Sequence, residues 1–167
     1  IIDSKICNIV SVTNAIKKLG FEYIASSNPK DLADADKLIL PGVGSFDEGI
    51  KNLKKFGLYD FLVDSFGSEK KILGICLGMQ LFFERSEEGK LPGLGLIPGQ
   101  VKKFSYPVTT IPHIGWNSVH DKSDMFILKG IDNKNFYFIH SFYVESDIKN
   151  FATTEHEGFQ FISAAEY

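Results

Sequence analysis

What this sequence does without narrows its class before any motif is read. No apolar run approaches the roughly 20 residues that a membrane-crossing helix needs, so no membrane association is expected. With 18 Lys and Arg against 21 Asp and Glu, for a net charge of −3, neither sign dominates. The charges are dispersed and form no basic stripe, so nucleic acid is not an expected partner. Only Cys7 and Cys76 are present. Two cysteines in different settings make no disulfide framework, and a reduced, cytoplasmic protein is expected. No repeat, linker or low-complexity segment interrupts the chain. It opens Ile1-Ile2-Asp3 with neither an initiator methionine nor a basic leader, and it stops abruptly after Ser163–Tyr167. Both ends therefore read as trimmed.

The 167 residues, 44% hydrophobic and 13% aromatic, are enough for one globular domain with a sizeable core, expected to span 1–167. The first half alternates. Ile1–Asp3 reads as a strand remnant, Ile9–Leu19 as an amphipathic helix closed by Gly20, and Phe21–Ser26 as a second strand. A helical turn over Lys30–Ala35 and a strand over Lys37–Leu40 follow, then helices over Phe46–Leu53 and Leu58–Phe66. This order predicts an α/β fold with a parallel sheet and helices on its faces. After Pro92 the texture changes to glycines, prolines and period-two runs such as Phe136–Val144, which predict added antiparallel strands.

The chemistry concentrates where Lys71–Ile75, a short buried strand, meets a helix beginning near Met79. Between them Gly74, Cys76 and Gly78 spell G-x-C-x-G, the cysteine form of a nucleophile elbow that lifts one side chain off the sheet. A free thiol has a pKa of about 8.5, and a helix N-terminus lowers it, which favours a reactive thiolate at Cys76. Cys7, ahead of the first helix, reads as a packed bystander. Directly after another apolar strand comes Pro41-Gly42-Val43-Gly44-Ser45-Phe46. Alone this is a plain strand-to-helix turn. Paired with an elbow it reads as a source of backbone donors for an oxyanion, with the N–H of Leu77 as the second donor.

A thiolate acting on an acyl group needs a base and an orienting acid. The histidines are His113, His120, His140 and His156. His140 reads as a satisfied, half-buried strand residue, His113 as a loop residue, His120 as part of an exposed turn, and His156 as part of a hairpin turn. None has a convincing base–acid spacing.

GICLGMQLFFERSEEG resembles the nucleophile segment of class I, triad-type glutamine amidotransferases, and ILPGVGSFDEGI resembles their oxyanion segment. IPHIGWN and NFYFIHSFYV narrow the resemblance to the glutaminase subunits of imidazole glycerol phosphate synthases. The resemblance implies a flavodoxin-like sheet, no cofactor and no metal. It implies that Cys76 attacks the side-chain amide of glutamine, with Val43 and Leu77 as oxyanion donors. Gly42, Gly44, Gln80, Glu88, Ser141 and Phe142 would line the glutamine site. Ammonia would pass to a (β/α)8-barrel cyclase subunit in a heterodimer of histidine biosynthesis, with Asn8, His113, Gly115, Trp116 and Asn117 near the contact.

Two departures accompany it. The family's base and acid lie in a His-Pro-Glu motif that this sequence lacks, and FATTEHEGFQFISAAEY matches the stretch that normally precedes it. The expectation is therefore a missing C-terminus rather than a substitute dyad. DSKICN at Asp3–Asn8 replaces the family's glycine-rich turn. Two alternatives share these motifs: a paralogous subunit feeding another ammonia acceptor, as in surface-sugar amidation, and a non-catalytic fragment that keeps only the partner surface.

Overall fold

The computed structural model describes residues 1–167, which form two compact units, Ile1–Leu96 and Ile97–Tyr167. In the first unit, helix α1 (Ile9–Lys18) is followed by the short turn α2 (Pro29–Leu32), strand β1 (Lys37–Gly42) and helices α3 (Phe46–Lys55) and α4 (Leu58–Gly67). Strand β2 (Lys71–Cys76), the single-turn helix α5 (Leu77–Gln80) and the short β3 (Arg85–Ser86) complete it.

β1 and β2 pair in parallel, from Lys37 opposite Lys71 to Gly42 opposite Cys76. The Ile2 N–H reaches the Ile39 carbonyl at 2.9 Å, and Ile2 bridges Ser26 in parallel, so the first residues extend the sheet beyond β1. Phe21–Ser26 is not a strand. Only Ser26 makes a bridge, and Phe21 and Ile24 stay exposed; a β-prone segment with no face to cover gains nothing from the ladder. α3 shows the opposite case. Phe46, Gly49, Ile50 and Leu53 are its buried residues, the i, i+3, i+4, i+7 stripe of a helix lying on a core. Each large side chain in that stripe contributes about 2 kcal/mol by burial. α1 buries none of its residues and relies on local devices. The Asn8 side chain accepts from the Ser11 N–H, and Lys17 and Lys18 sit at the negative end of the dipole.

The second unit contains β4 (Gln100–Lys103), β5 (His113–Ser118), β6 (His120–Asp121), β7 (Asn135–His140), β8 (Phe142–Glu145), β9 (Asn150–His156) and β10 (Phe159–Glu166). Within it an antiparallel sheet runs in the order β4-β8-β10-β9-β6, and β5 and β7 form a separate antiparallel ribbon. The apolar run predicted over Phe136–Val144 thus divides at Ser141 into strands of two different sheets. Phe104, Val108 and Phe161 form one core cluster of the unit. Val119, Met125, Leu128 and Ala152 form a second. No helix is long and apolar enough to cross a membrane.

Candidate active site

The nucleophile position is built by strain and close approach. Cys76 ends β2 with φ 56° and ψ −117°, a conformation that costs a non-glycine residue on the order of 1–3 kcal/mol and persists only where its surroundings enforce it. The flanking glycines allow that enforcement. A Cβ on Gly78 would strike the Leu40 carbonyl oxygen of β1, and one on Gly74 would lie 2.7 Å from the Met79 backbone nitrogen. The helix beyond is shorter than the apolar pattern predicts, because Phe82 and Phe83 bond back to Met79 and Gln80 in tight i→i−3 turns.

The glycine-rich loop arrives at the same place. Gly42 is the register partner of Cys76, so Val43 and Gly44 leave β1 next to the thiol. This juxtaposition of a strained cysteine elbow and a Gly-x-Gly loop is what the amidotransferase resemblance requires.

The description "Glutamine amidotransferase class-I" matches residues 1–167. The chain belongs to that family. Similar proteins include "Imidazole glycerol phosphate synthase subunit HisH 1" of Campylobacter jejuni (strain RM1221), 46% identical over 99% of this chain and 85% of that protein. "Imidazole glycerol phosphate synthase subunit HisH 2" of Methanococcus maripaludis is 47% identical over 98% of this chain and 83% of that one. A solved structure described as "Crystal structure of glutamine amidotransferase" shares the fold, with a TM-score of 0.61 and 19% identity over 79% of this chain and 66% of that one.

Within this class-I amidotransferase fold two site residues have surroundings that bear on their expected roles. Cys76 is exposed as a residue, yet loss of hydration raises its thiol above the ordinary value, and the Leu77 N–H works the other way as the lesser influence. The expected lowered thiol is therefore corrected to a raised one, with burial as the dominant cause. Cys7 is raised as well, by burial first and then by the charge of Asp3. The Val43 N–H, expected to face an oxyanion, is donated instead to the Ile6 carbonyl at 2.8 Å.

The expected glutamine contacts sit on ordered segments. Glu88 accepts from the Phe46 N–H at 2.7 Å, and Asp47 accepts from the N–H groups of Lys90 and Leu91 at 2.9 and 3.0 Å. These reciprocal bonds strap the loop that follows β3 to the start of α3. The Leu91 and Lys90 amides in turn hold the Asp47 carboxyl below its usual range. In the second unit the Ser141 carbonyl accepts from the Phe104 N–H at 3.0 Å. The Phe142 carbonyl meets His140 Nδ1 at 2.8 Å.

Among the residues expected at a partner contact, Trp116 is 69% exposed and His113 only 1%. His113, expected in a loop, instead opens strand β5 and is buried. Alternation along β5 explains the difference, since successive side chains point to opposite faces. Ile114 and Trp116 pair across the ribbon with Ile139 and Tyr137, and all four are exposed. His113 faces inward, stacked on His156 at 4.1 Å between ring centroids. Gly115 is half-buried, and Asn117 donates to the Glu155 carbonyl at 2.9 Å. Asn8 caps α1. His120 is exposed as expected but stands in β6 rather than in a turn, paired with Thr153 and bonded to Asn133 at 2.7 Å. The assembly of His113, His140 and His156 has no signal in sequence spacing, because three separate strands bring the rings together.

Proposed function

We propose that this chain is the glutamine-hydrolysing subunit of an imidazole glycerol phosphate synthase and delivers ammonia to a (β/α)8-barrel cyclase subunit in histidine biosynthesis. The observation that carries this reading is the Gly42–Cys76 register at a strained cysteine elbow, in a chain 46–47% identical to two proteins bearing that synthase's name. The Cys76 thiolate attacks the side-chain carbon of glutamine. The tetrahedral adduct collapses to a thioester as its C–N bond breaks, the leaving nitrogen taking up the proton that the thiol gave up on ionising and departing as ammonia, and water then releases glutamate and frees the thiol. The Leu77 N–H is one oxyanion donor, and Val43 becomes the second once its peptide leaves Ile6. Gly42, Gly44, Gln80 and Glu88 of the first unit contact the substrate in this reading, and Ser141 and Phe142 are assigned to it by the family resemblance alone.

Ammonia released into water is soon protonated and lost as a nucleophile, so a subunit that supplies a distant acceptor gains from staying idle until its partner binds. The exposed ribbon face of Ile114, Trp116, Tyr137 and Ile139 belongs to the partner surface of a cytoplasmic heterodimer in this reading, and Gly115, Asn117 and Asn8 are assigned near that contact by the family resemblance alone. Its Trp116 and Tyr137 rings meet edge to face, 5.6 Å apart, and aromatic side chains of this kind are enriched at interface hot spots.

The test is glutaminase turnover of the full-length protein with and without the cyclase subunit. Strong stimulation by that subunit, abolished by Cys76→Ala, is expected. Stimulation by a different ammonia acceptor and none by the cyclase would move the chain to a paralogous pathway. No turnover under any condition would leave the non-catalytic reading.

A further inference from the structure

One run of hydrogen bonds in the second unit holds too few protons for its contacts. From the Glu155 carbonyl it passes to Asn117 Nδ2 at 2.9 Å, and from Asn117 Oδ1 to His113 Nε2 at 3.1 Å. It continues from His113 Nδ1 to His140 Nε2 at 3.0 Å and ends with His140 Nδ1 on the Phe142 carbonyl at 2.8 Å. Both ends are backbone carbonyls, which only accept. The links between them are one amide and two imidazoles, and each neutral link, used from both sides, offers one donor and one acceptor. Four contacts therefore have three donors. Turning the amide over or exchanging imidazole tautomers moves the gap along the run without closing it. One added proton on the two rings closes every contact at once.

The surroundings confine that proton to the pair. His156 of β9 stacks on His113 and its Nε2 meets the Thr110 carbonyl at 2.9 Å. Phe138 of β7 stacks on His113 at 5.1 Å, and Phe104 and Phe161 flank His140 at 5.2 and 5.0 Å. The carboxylate next along β9–β10, Glu157, is engaged by the amides of Thr109 and Thr110. No carboxylate hydrogen-bonds to either ring of the pair. Burial pushes His113 down from its ordinary value and His140 down to about 4. At neutral pH the run is therefore open at one contact, and acid closes it.

We infer that His113 and His140 act as one unit that takes up a single shared proton, and that through the Phe142 carbonyl this unit positions the Ser141–Phe142 turn. The positioning role rests on the glutaminase reading; the shared proton does not. His140 thus becomes a positioning residue for the turn between β7 and β8, and Asn117 the far anchor of the same run.

The test is ring-nitrogen and backbone NMR of the full-length protein across pH 8 to 4, with glutaminase kinetics of the assembled synthase alongside. Both rings are expected to titrate together with the uptake of one proton, and the Ser141 and Phe142 amide signals to move with the same midpoint. Asn117→Asp, which puts a carboxylate on His113, is expected to raise that midpoint by about one pH unit or more and bring it well inside the folded range. His113→Phe is expected to leave His140 titrating alone. Independent titration with two protons, no titration in either form, or turn amides blind to the rings would overturn the proton sharing. In the kinetic measurement His140→Phe is expected to raise KM for glutamine about fivefold, the worth of one hydrogen bond, with kcat little changed. An unchanged KM beside an intact shared titration would instead overturn the placement of glutamine at this turn.

Discussion

The N–H of Val43, next to the nucleophile strand, is donated to the carbonyl of Ile6 at 2.8 Å. An amide held this way is withdrawn from any oxyanion forming at Cys76, and losing one such donor lowers the rate by on the order of 10²–10³. Ile6 lies in Asp3–Asn8, the segment whose sequence departs from the family's glycine-rich turn. Under the proposed function, where Asp3–Asn8 faces the partner, this bond is a latch between that segment and the oxyanion loop.

Gly44 holds the latched loop at φ +93°, where an added Cβ would make only an ordinary contact, 3.7 Å from Glu48 Oε2. Gly44→Ala meets no obstacle but strains this backbone by roughly 1–2 kcal/mol. Glutaminase turnover without the partner is expected to rise about tenfold, in line with that energy. A fall, or no change, would mean that the open loop needs the same conformation.

Gly78→Ala tests the elbow's packing. The new methyl group would meet the Leu40 carbonyl oxygen, a rigid backbone atom, and destabilisation of at least about 2 kcal/mol is expected. A urea midpoint equal to that of the parent protein would contradict the close approach of β1 and α5.

Cys76, exposed, is expected to take a glutamine-like electrophile faster than Cys7, whose sulfur lies 3.8 Å from the Asp3 carboxylate. Both thiols are raised, so labelling of either increases with pH beyond the usual thiol range. Peptide mapping after brief labelling at pH 7 and pH 9 reads both expectations, and preferential modification of Cys7 would reverse the assignment.

Acid stability follows from His140. The folded protein holds this ring at about 4 against an ordinary 6.5, so between those pH values the unfolded chain binds the additional proton. Stability is complete above about pH 6.5 and falls as pH drops towards 4, by on the order of 3 kcal/mol. Denaturant unfolding at pH 7.5, 5.5 and 4.5 measures it. His140→Phe should make the profile shallower, leaving the dependence contributed by His113, whose ring burial also pushes down.

Trp116→Ala removes a ring that is already exposed, so the unfolding midpoint is expected to hold. Affinity for the cyclase subunit should fall by at least about 30-fold if the ring is a hot spot. Isothermal titration separates the two effects, and unchanged affinity would move the contact elsewhere on the subunit.

Local signals determined the catalytic skeleton without help from the tertiary structure. Gly74, Cys76 and Gly78 encode a strand-to-helix elbow because only glycine fits against Met79 and Leu40. The i, i+3, i+4, i+7 stripe of α3 is legible in its own residues, whereas β1 runs two residues past its expected end at Leu40, because Pro41 and Gly42 still pair with β2. What the tertiary structure decided depends on partners distant in sequence. Phe21–Ser26 has strand-like composition but no face to cover, and only pairing could reveal that. The Val43 amide was legible as a donor, whereas its acceptor, 37 positions earlier at Ile6, was not. His113 is inward and Trp116 outward because the register of β5 against β7 sets the pleat, and a slip of one residue would exchange them. Three histidines scattered over β5, β7 and β9 come into ring contact for the same reason: strand pairing brings together groups that spacing along the chain keeps apart.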